Sequence, residues 1–185
     1  MPPRIVVLAS GSGTTLQAML DDAVLRPHVV AAGTDVPSCA AMQRAKDAGV
    51  ATFAVVLRDH PDRDAWNDAL GQAIADHDPD VVVLAGFMRI LGPKIVSRFR
   101  IVNTHPALLP AFPGAHAIRD ALDARATTTG VTVHWVDEGV DTGPIIAQVP
   151  VDVRPDDDEA SLRERIQAAE KPLYLKAIRE LIGEK

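Results

Sequence analysis

The sequence predicts an α/β fold: an open, mainly parallel sheet with helices on both faces and an antiparallel strand or hairpin towards the C-terminus. Three observations carry the prediction. Short β-branched runs alternate with segments whose apolar residues recur at helical spacing. One run, Asp80-Val81-Val82-Val83-Leu84-Ala85, is almost wholly apolar, as a central parallel strand covered on both faces must be. The runs also end in glycine, at Gly11 and Gly86, where the chain must turn from a strand into the next element.

Each element follows from a local signal. Arg4 to Ala9 reads as a strand, and Leu16, Met19 and Leu20 after the glycine turn read as a helix. A strand follows near Val29 to Ala32, then a helix over Ser38 to Ala48 stopped by Gly49, then a strand over Ala51 to Val56. His60-Pro61 opens a helix that carries Trp66, Leu70 and Ile74 on one face. After the apolar strand, Pro93 starts a short helix, Ile101-Val102 leads into Asn103, and His116 to Arg125 is helical. Gly130 to Val136 alternates with period two, and Pro144 to Val149 follows a polar turn, so the two form a hairpin or lie beside the parallel strands. Asp156 and Glu159 have the spacing of a capping box before a last helix with Leu162, Ile166 and Ala169, and Pro172 should kink that helix or mark a junction.

Composition narrows the function. The 185 residues suit one domain spanning 1–185, with 47% apolar and 24% charged residues. No apolar run approaches the roughly 20 residues needed to cross a bilayer, so no membrane partner is expected. Met1-Pro2-Pro3-Arg4 leads straight into a strand with no secretory signal, and a cytoplasmic location is the expectation. Cys39 is the single cysteine, which leaves no disulfide, cysteine zinc cluster or redox pair; it reads as a small helix residue. The net charge is −6 and no Lys/Arg run could track a phosphate backbone, which argues against nucleic acid. No histidine pair has metal-ligand spacing, so no metal is expected.

Three strand-end segments carry the chemistry, and ligand sites in open α/β sheets lie at such ends. Gly11-Ser12-Gly13-Thr14-Thr15 can present backbone N–H groups and two hydroxyls to a phosphate at a helix start, or be a plain turn. It lacks the third glycine of a dinucleotide fingerprint and the lysine of a Walker loop, so a monophosphate is the better fit. Gly86-Phe87-Met88-Arg89-Ile90-Leu91 exposes an aromatic, a thioether and a guanidinium together; it binds a flat heterocycle or only caps the sheet. Asn103 and His105, two apart on an extended backbone, point the same way and can donate to one oxygen, with Pro106, Pro110 and Pro113 stiffening the chain on their C-terminal side. Asp141 adds a carboxylate after a later strand. An amide, an imidazole and a carboxylate suit oxyanion stabilisation and proton movement at a carbonyl carbon. His134 reads as packed or hydrogen-bonded in its strand, and His28, His60, His77 and His116 as solvated edge residues.

These segments, with Asn103-Thr104-His105-Pro106-Ala107-Leu108-Leu109-Pro110 and Asp137-Glu138-Gly139-Val140-Asp141-Thr142-Gly143-Pro144, resemble the phosphoribosylglycinamide formyltransferases from Arg4 to about Leu175. The resemblance implies a Rossmann-like formyltransferase fold and formyl transfer from 10-formyltetrahydrofolate, as co-substrate, to the amine of glycinamide ribonucleotide in purine biosynthesis. By it, Asn103 and His105 steady the oxyanion of a tetrahedral intermediate, and Asp141 orients His105 and assists proton transfer. Gly11, Ser12, Gly13, Thr14 and Thr15 match the ribonucleotide phosphate site, with Gly86, Pro106 and Glu170 beside that substrate. Met88, Arg89, Ile90, Leu91, Asn103, Val136, Asp137, Glu138, Gly139, Val140 and Asp141 match the folate pocket. A monomer or homodimer is implied. The chain departs from the family pattern at Thr15, where the family has Asn, in a short approach to Asn103, and beyond Lys185, where relatives commonly continue. Asn-x-His with a later Asp also serves formyltetrahydrofolate hydrolases, and an inactive folate- or nucleotide-binding module is the non-enzymatic alternative.

Overall fold

In the computed structural model, which describes residues 1–183, strands and helices alternate from the start. They are β1 (Ile5–Leu8), α1 (Thr14–Asp21), β2 (Val29–Thr34), α2 (Ala40–Asp47), β3 (Ala51–Ala54), α3 (Arg63–Ala75), β4 (Val81–Leu84), α4 (Pro93–Arg98), β5 (Ile101–His105), α5 (Ala117–Asp123), β6 (Thr128–Trp135), β7 (Ile145–Asp152) and α6 (Glu159–Leu181). The strands form a seven-stranded sheet in the order β3-β2-β1-β4-β5-β6-β7. Strands β1 to β5 pair in parallel and β6 with β7 antiparallel, so the hairpin alternative holds.

The described residues divide into two compact units, Met1–Val102 with Ile182 and Gly183, and Asn103–Leu181. In the first, β1 and β4 are buried at every position, which is why both read as unbroken apolar runs. The chain leaves β1 towards β2 on one side and returns to β4 on the other, so the order reverses between β1 and β4. Trp66, Leu70 and Ile74 of α3 are fully buried, as their spacing predicts. The helix opens at Arg63 rather than at His60-Pro61, because Asp62 caps it, its carboxylate accepting from the Ala65 N–H at 2.8 Å. His28 is buried, not solvated, with Nδ1 2.8 Å from the Pro3 carbonyl.

The second unit packs Ile118, Val131, Val151, Leu162 and Ile166 into its own cluster. Pro150, which has no N–H to offer a ladder, falls on β7 at the sheet edge. The cap of α6 is Asp158 with Ser161, not Asp156 with Glu159: the Asp158 carboxylate accepts from the Ser161 N–H at 2.8 Å and the Ser161 hydroxyl from the Asp158 N–H at 3.1 Å. The helix runs through Pro172 as one element. Pro172 has no N–H to donate to the Ala168 carbonyl one turn earlier, and Ala168 lies on the exposed side of the helix. Among the described residues no helix is long and apolar enough to cross a membrane.

Candidate active site

In the second unit two of the catalytic candidates, His105 and Asp141, come together. Asn103, Thr104 and His105 end β5, and strand alternation sends Asn103 and His105 to one face and Thr104 to the other. The buried His105 ring has both nitrogens engaged. Nε2 lies 2.7 Å from the Phe112 carbonyl oxygen, which can only accept, so Nε2 carries the hydrogen. Nδ1 lies 3.3 Å from Asp141 Oδ2. Asp141 sits in the loop between β6 and β7 at φ 56°, a left-handed conformation that Asp tolerates better than most residues. The Gly114 N–H donates to its Oδ2 at 2.8 Å.

The other carboxylate oxygen faces His134, a strand residue expected to be packed or hydrogen-bonded. His134, 2% exposed, has Nε2 3.6 Å from Asp141 Oδ1, while its Nδ1 donates to the Trp135 carbonyl at 2.9 Å. A register shift between Val133 and His134 in the β6–β7 ladder turns the strand at this residue, a device that commonly re-aims a side chain beside an active site. Two imidazoles, each tied through one nitrogen to a backbone carbonyl, thus present their other nitrogens to the two oxygens of Asp141. Period-two alternation in β6 was the available signal, since it marks His134 as buried, but nothing in the sequence pointed it at Asp141.

Burial pulls His134 towards neutrality. The Asp141 carboxylate 3.6 Å from Nε2, the hydrogen bond to the Trp135 carbonyl and the charge of Asp137 outweigh it and lift the pKa above 6.5. The same contact with His134 is the largest cause holding Asp141 below 3.8; the Gly114 N–H and His105 add to it against burial. Asp141 therefore stabilises the fold above 3.8 and loses this as pH falls through its folded value. His134 stabilises below 6.5 and loses this as pH rises through its folded value. Both act fully together between about pH 4 and 6.5.

The segment after His105 is fixed by hydrogen bonds as well as by its prolines. The Thr132 hydroxyl donates to the Ala107 carbonyl at 2.7 Å and accepts from the Leu109 N–H at 3.0 Å, and Gln148 Nε2 donates to the Leu109 carbonyl at 2.9 Å. In the loop after β6, Asp137 accepts from the Thr142 hydroxyl at 2.6 Å and the Gly139 N–H at 3.1 Å, shaping the turn that carries Glu138, Gly139 and Val140. Val136 is half-buried, and Val140 is half-exposed.

Glu170, on α6, is engaged by Thr104, the residue on the opposite face of β5 from Asn103 and His105. Burial raises its pKa above 4.5, against the lowering effects of Thr104 and Lys171. Ionisation of a group shifted this way opposes folding once the pH exceeds its unfolded value. Glu170→Gln should therefore raise the melting temperature at about pH 7.5 and have no such effect at about pH 4, where the wild-type carboxyl is already protonated. Thermal melts at the two pH values check it; a gap that does not grow with pH counts against the burial cost.

The remaining predicted residues belong to the first unit. Gly13 caps α1 at φ 71°, and no side chain caps the helix. A Cβ there would lie 2.5 Å from the Ala41 Cα, so the turn requires glycine. Ser10, just before the turn, donates to Asp35 Oδ1 at 2.5 Å and accepts from the Met88 N–H at 3.0 Å. Asp35 Oδ2 accepts from Arg89 Nε at 2.7 Å, with the aspartate side chain 2% exposed. The loops after β1 and β4, on either side of the strand-order reversal, are thus joined through one buried carboxylate that the sequence reading did not single out. Phe87 is buried at 9% exposure and Leu91 at 7%, whereas Met88 and Ile90 are exposed at 75% and 66%. The expectation that Phe87, Met88 and Arg89 are displayed together is corrected: the aromatic turns into the core and Arg89 is held by Asp35.

The formyl transferase family model matches residues 3–178. The chain is 54% identical over 184 residues to the phosphoribosylglycinamide formyltransferase of Mycobacterium tuberculosis, covering 97% of this chain and 85% of that protein. It is 39% identical over 176 residues to the phosphoribosylglycinamide formyltransferase of Escherichia coli, covering 92% and 83%. The crystal structure of glycinamide ribonucleotide transformylase 1 from Symbiobacterium toebii superposes with a TM-score of 0.93 at 41% identity, covering 98% of this chain and 88% of that one.

Proposed function

Since the chain belongs to the formyl transferase family, we propose that it moves the formyl group of 10-formyltetrahydrofolate to the amine of glycinamide ribonucleotide, a step of purine biosynthesis. Residues 1–185 act as one formyltransferase domain on these two small molecules. The observation that carries this reading is the His105–Asp141 pair, 3.3 Å apart, with the second ring nitrogen of His105 already donating to a carbonyl oxygen.

The amine attacks the formyl carbon, a C–N bond forms, and the carbonyl electrons move onto oxygen. The N–H of His105 that now donates to Phe112 passes to that oxygen, joined by the Asn103 amide on the same face of β5. Each such donor is worth roughly 3 to 4 kcal/mol of barrier in related oxyanion sites. Asp141, kept ionised by His134, receives the proton leaving the amine. Collapse then breaks the C–N bond to the folate, and Asp141 hands the proton it took from the amine on to that nitrogen, which leaves as tetrahydrofolate. Gly11 to Thr15 and Gly86 of the first unit are the segments assigned to the nucleotide phosphate side and Pro106 and Glu170 of the second to the same substrate, while Met88 to Leu91 and, in the second unit, Val136 to Val140 are assigned to the folate. The reading calls for no metal.

The test is to supply 10-formyltetrahydrofolate with and without glycinamide ribonucleotide and to follow deformylation optically. Deformylation that requires the nucleotide is the expected result. Turnover indifferent to it identifies a hydrolase, and folate binding without turnover identifies a binding module.

A further inference from the structure

The geometry points to Arg44 as a positioning residue for the anion loop, an inference that rests on reading Gly11 to Thr15 as the substrate-phosphate site. Arg44 lies on α2, 32 residues from the loop in sequence, and its Nε donates to the Ser12 carbonyl at 2.8 Å. One residue earlier, the Gly11 carbonyl accepts from the Ala41 N–H at 3.1 Å. Two successive loop carbonyls are therefore turned onto α2. In a planar trans peptide the carbonyl and the following N–H point in opposite directions. Binding the Gly11 and Ser12 carbonyls from behind aims the Ser12 and Gly13 N–H groups away from α2, beside the uncapped first turn of α1. The left-handed Gly13 completes the concavity of N–H groups that holds anions in other proteins.

Arg44 is itself braced. Its Nη1 donates to Gln17 Oε1 at 3.2 Å, one turn into α1, so the guanidinium spans α2, the loop and α1. Its hydrogen-bonding edge is taken up by the back of the loop, which makes it a holder of the peptide planes rather than a counter-ion on the phosphate. A lysine cannot make both bonds in one plane.

The test measures initial rates of the full chain with 10-formyltetrahydrofolate and glycinamide ribonucleotide, using inorganic phosphate as a competitive probe. Arg44→Ala is expected to raise the KM for the nucleotide and the phosphate inhibition constant about tenfold, the scale of one hydrogen bond to a charged group. The folate KM and kcat should change by less than about twofold, a binding effect rather than a chemical one. The dependence of the nucleotide KM on salt should keep its slope, because a holder of peptide planes is not a screened counter-charge. Gln17→Ala, which leaves the Arg44 charge in place and loosens only its brace, should raise the same KM in the same direction by a smaller factor. An unchanged KM in a folded Arg44→Ala protein, or a flattened salt slope, overturns the positioning role. A wild-type enzyme that phosphate does not inhibit competitively against the nucleotide instead overturns the phosphate reading of the loop.

Discussion

Asp141→Asn should lower kcat about a thousandfold, within the range typical of losing a positioned general base. The substitution isolates chemistry from structure unusually well. Asn adopts the left-handed conformation found at φ 56° as readily as Asp, and its carbonyl can still accept from the Gly114 N–H. Its NH₂ then faces His134 Nε2 and donates to it, since His134 Nδ1 is committed to the Trp135 carbonyl. His134 becomes neutral, and His105 loses the anion opposite its Nδ1. The melting temperature should fall modestly, by the stabilisation that the ionised carboxylate supplies, and nucleotide affinity should stay close to wild type while turnover collapses. Near-normal turnover would remove Asp141 from the mechanism. A companion measurement separates the two histidines. His134→Gln removes the largest cause of the depressed Asp141 pKa, so the acid limb of kcat/KM against pH should move upward. An acid limb at the wild-type position would make His134 a packing residue after all.

The contrast between His105 and His134 shows what kind of information a sequence holds. Leu16, Met19 and Leu20, or Trp66, Leu70 and Ile74, declare their helices because burial repeats with the period of the element. Asn103 and His105 declare a shared face because alternation is equally local. His134 lay in an alternating strand as well, but its role depends on a register shift and on a loop that folds back six to seven residues later. Phe87 failed for a related reason. Residues after a strand end have no period, and whether a side chain turns inward depends on space in the core, which no local pattern reports. Asp35 and Arg44 were invisible because each acts on loops that lie 25 to 54 residues away. The α6 cap was misplaced by two residues, since Asp156, Asp157 and Asp158 all offer a carboxylate and only the one followed three positions later by Ser161 forms the reciprocal pair. The placement of Asn103 and His105 on one strand face was therefore legible, and the residues that His105 and Asp141 touch were mostly not.

That second class predicts the other large effect, at Gly143. Its backbone is not left-handed, so conformational freedom is not why glycine is needed there. Space is the reason: a Cβ would overlap the Trp135 carbonyl oxygen and approach its carbon at 2.7 Å. That carbonyl cannot swing aside freely, because it accepts from His134 Nδ1 at 2.9 Å, and the Trp135 N–H donates to the Pro144 carbonyl at 2.9 Å. Gly143→Ala must displace the Trp135 peptide, and with it the bond that fixes the His134 tautomer and the loop that presents Asp141. The expected cost is on the order of 3 kcal/mol of stability, the upper range for forcing atoms into a packed site. Turnover should fall further than that loss of folded protein explains, because the His134–Asp141 approach depends on the same peptide. Gly139→Ala is the control within the same loop. Its nearest neighbours would be side-chain atoms of Thr142 rather than a backbone carbonyl, so the strain is relieved by turning that hydroxyl away from Asp137, and stability should suffer less. Denaturant melts and saturating-substrate rates on the two variants decide the matter. Equal effects at the two positions, or a Gly143→Ala protein with wild-type turnover, would mean that the Trp135 carbonyl does not hold the Asp141 carboxylate in place.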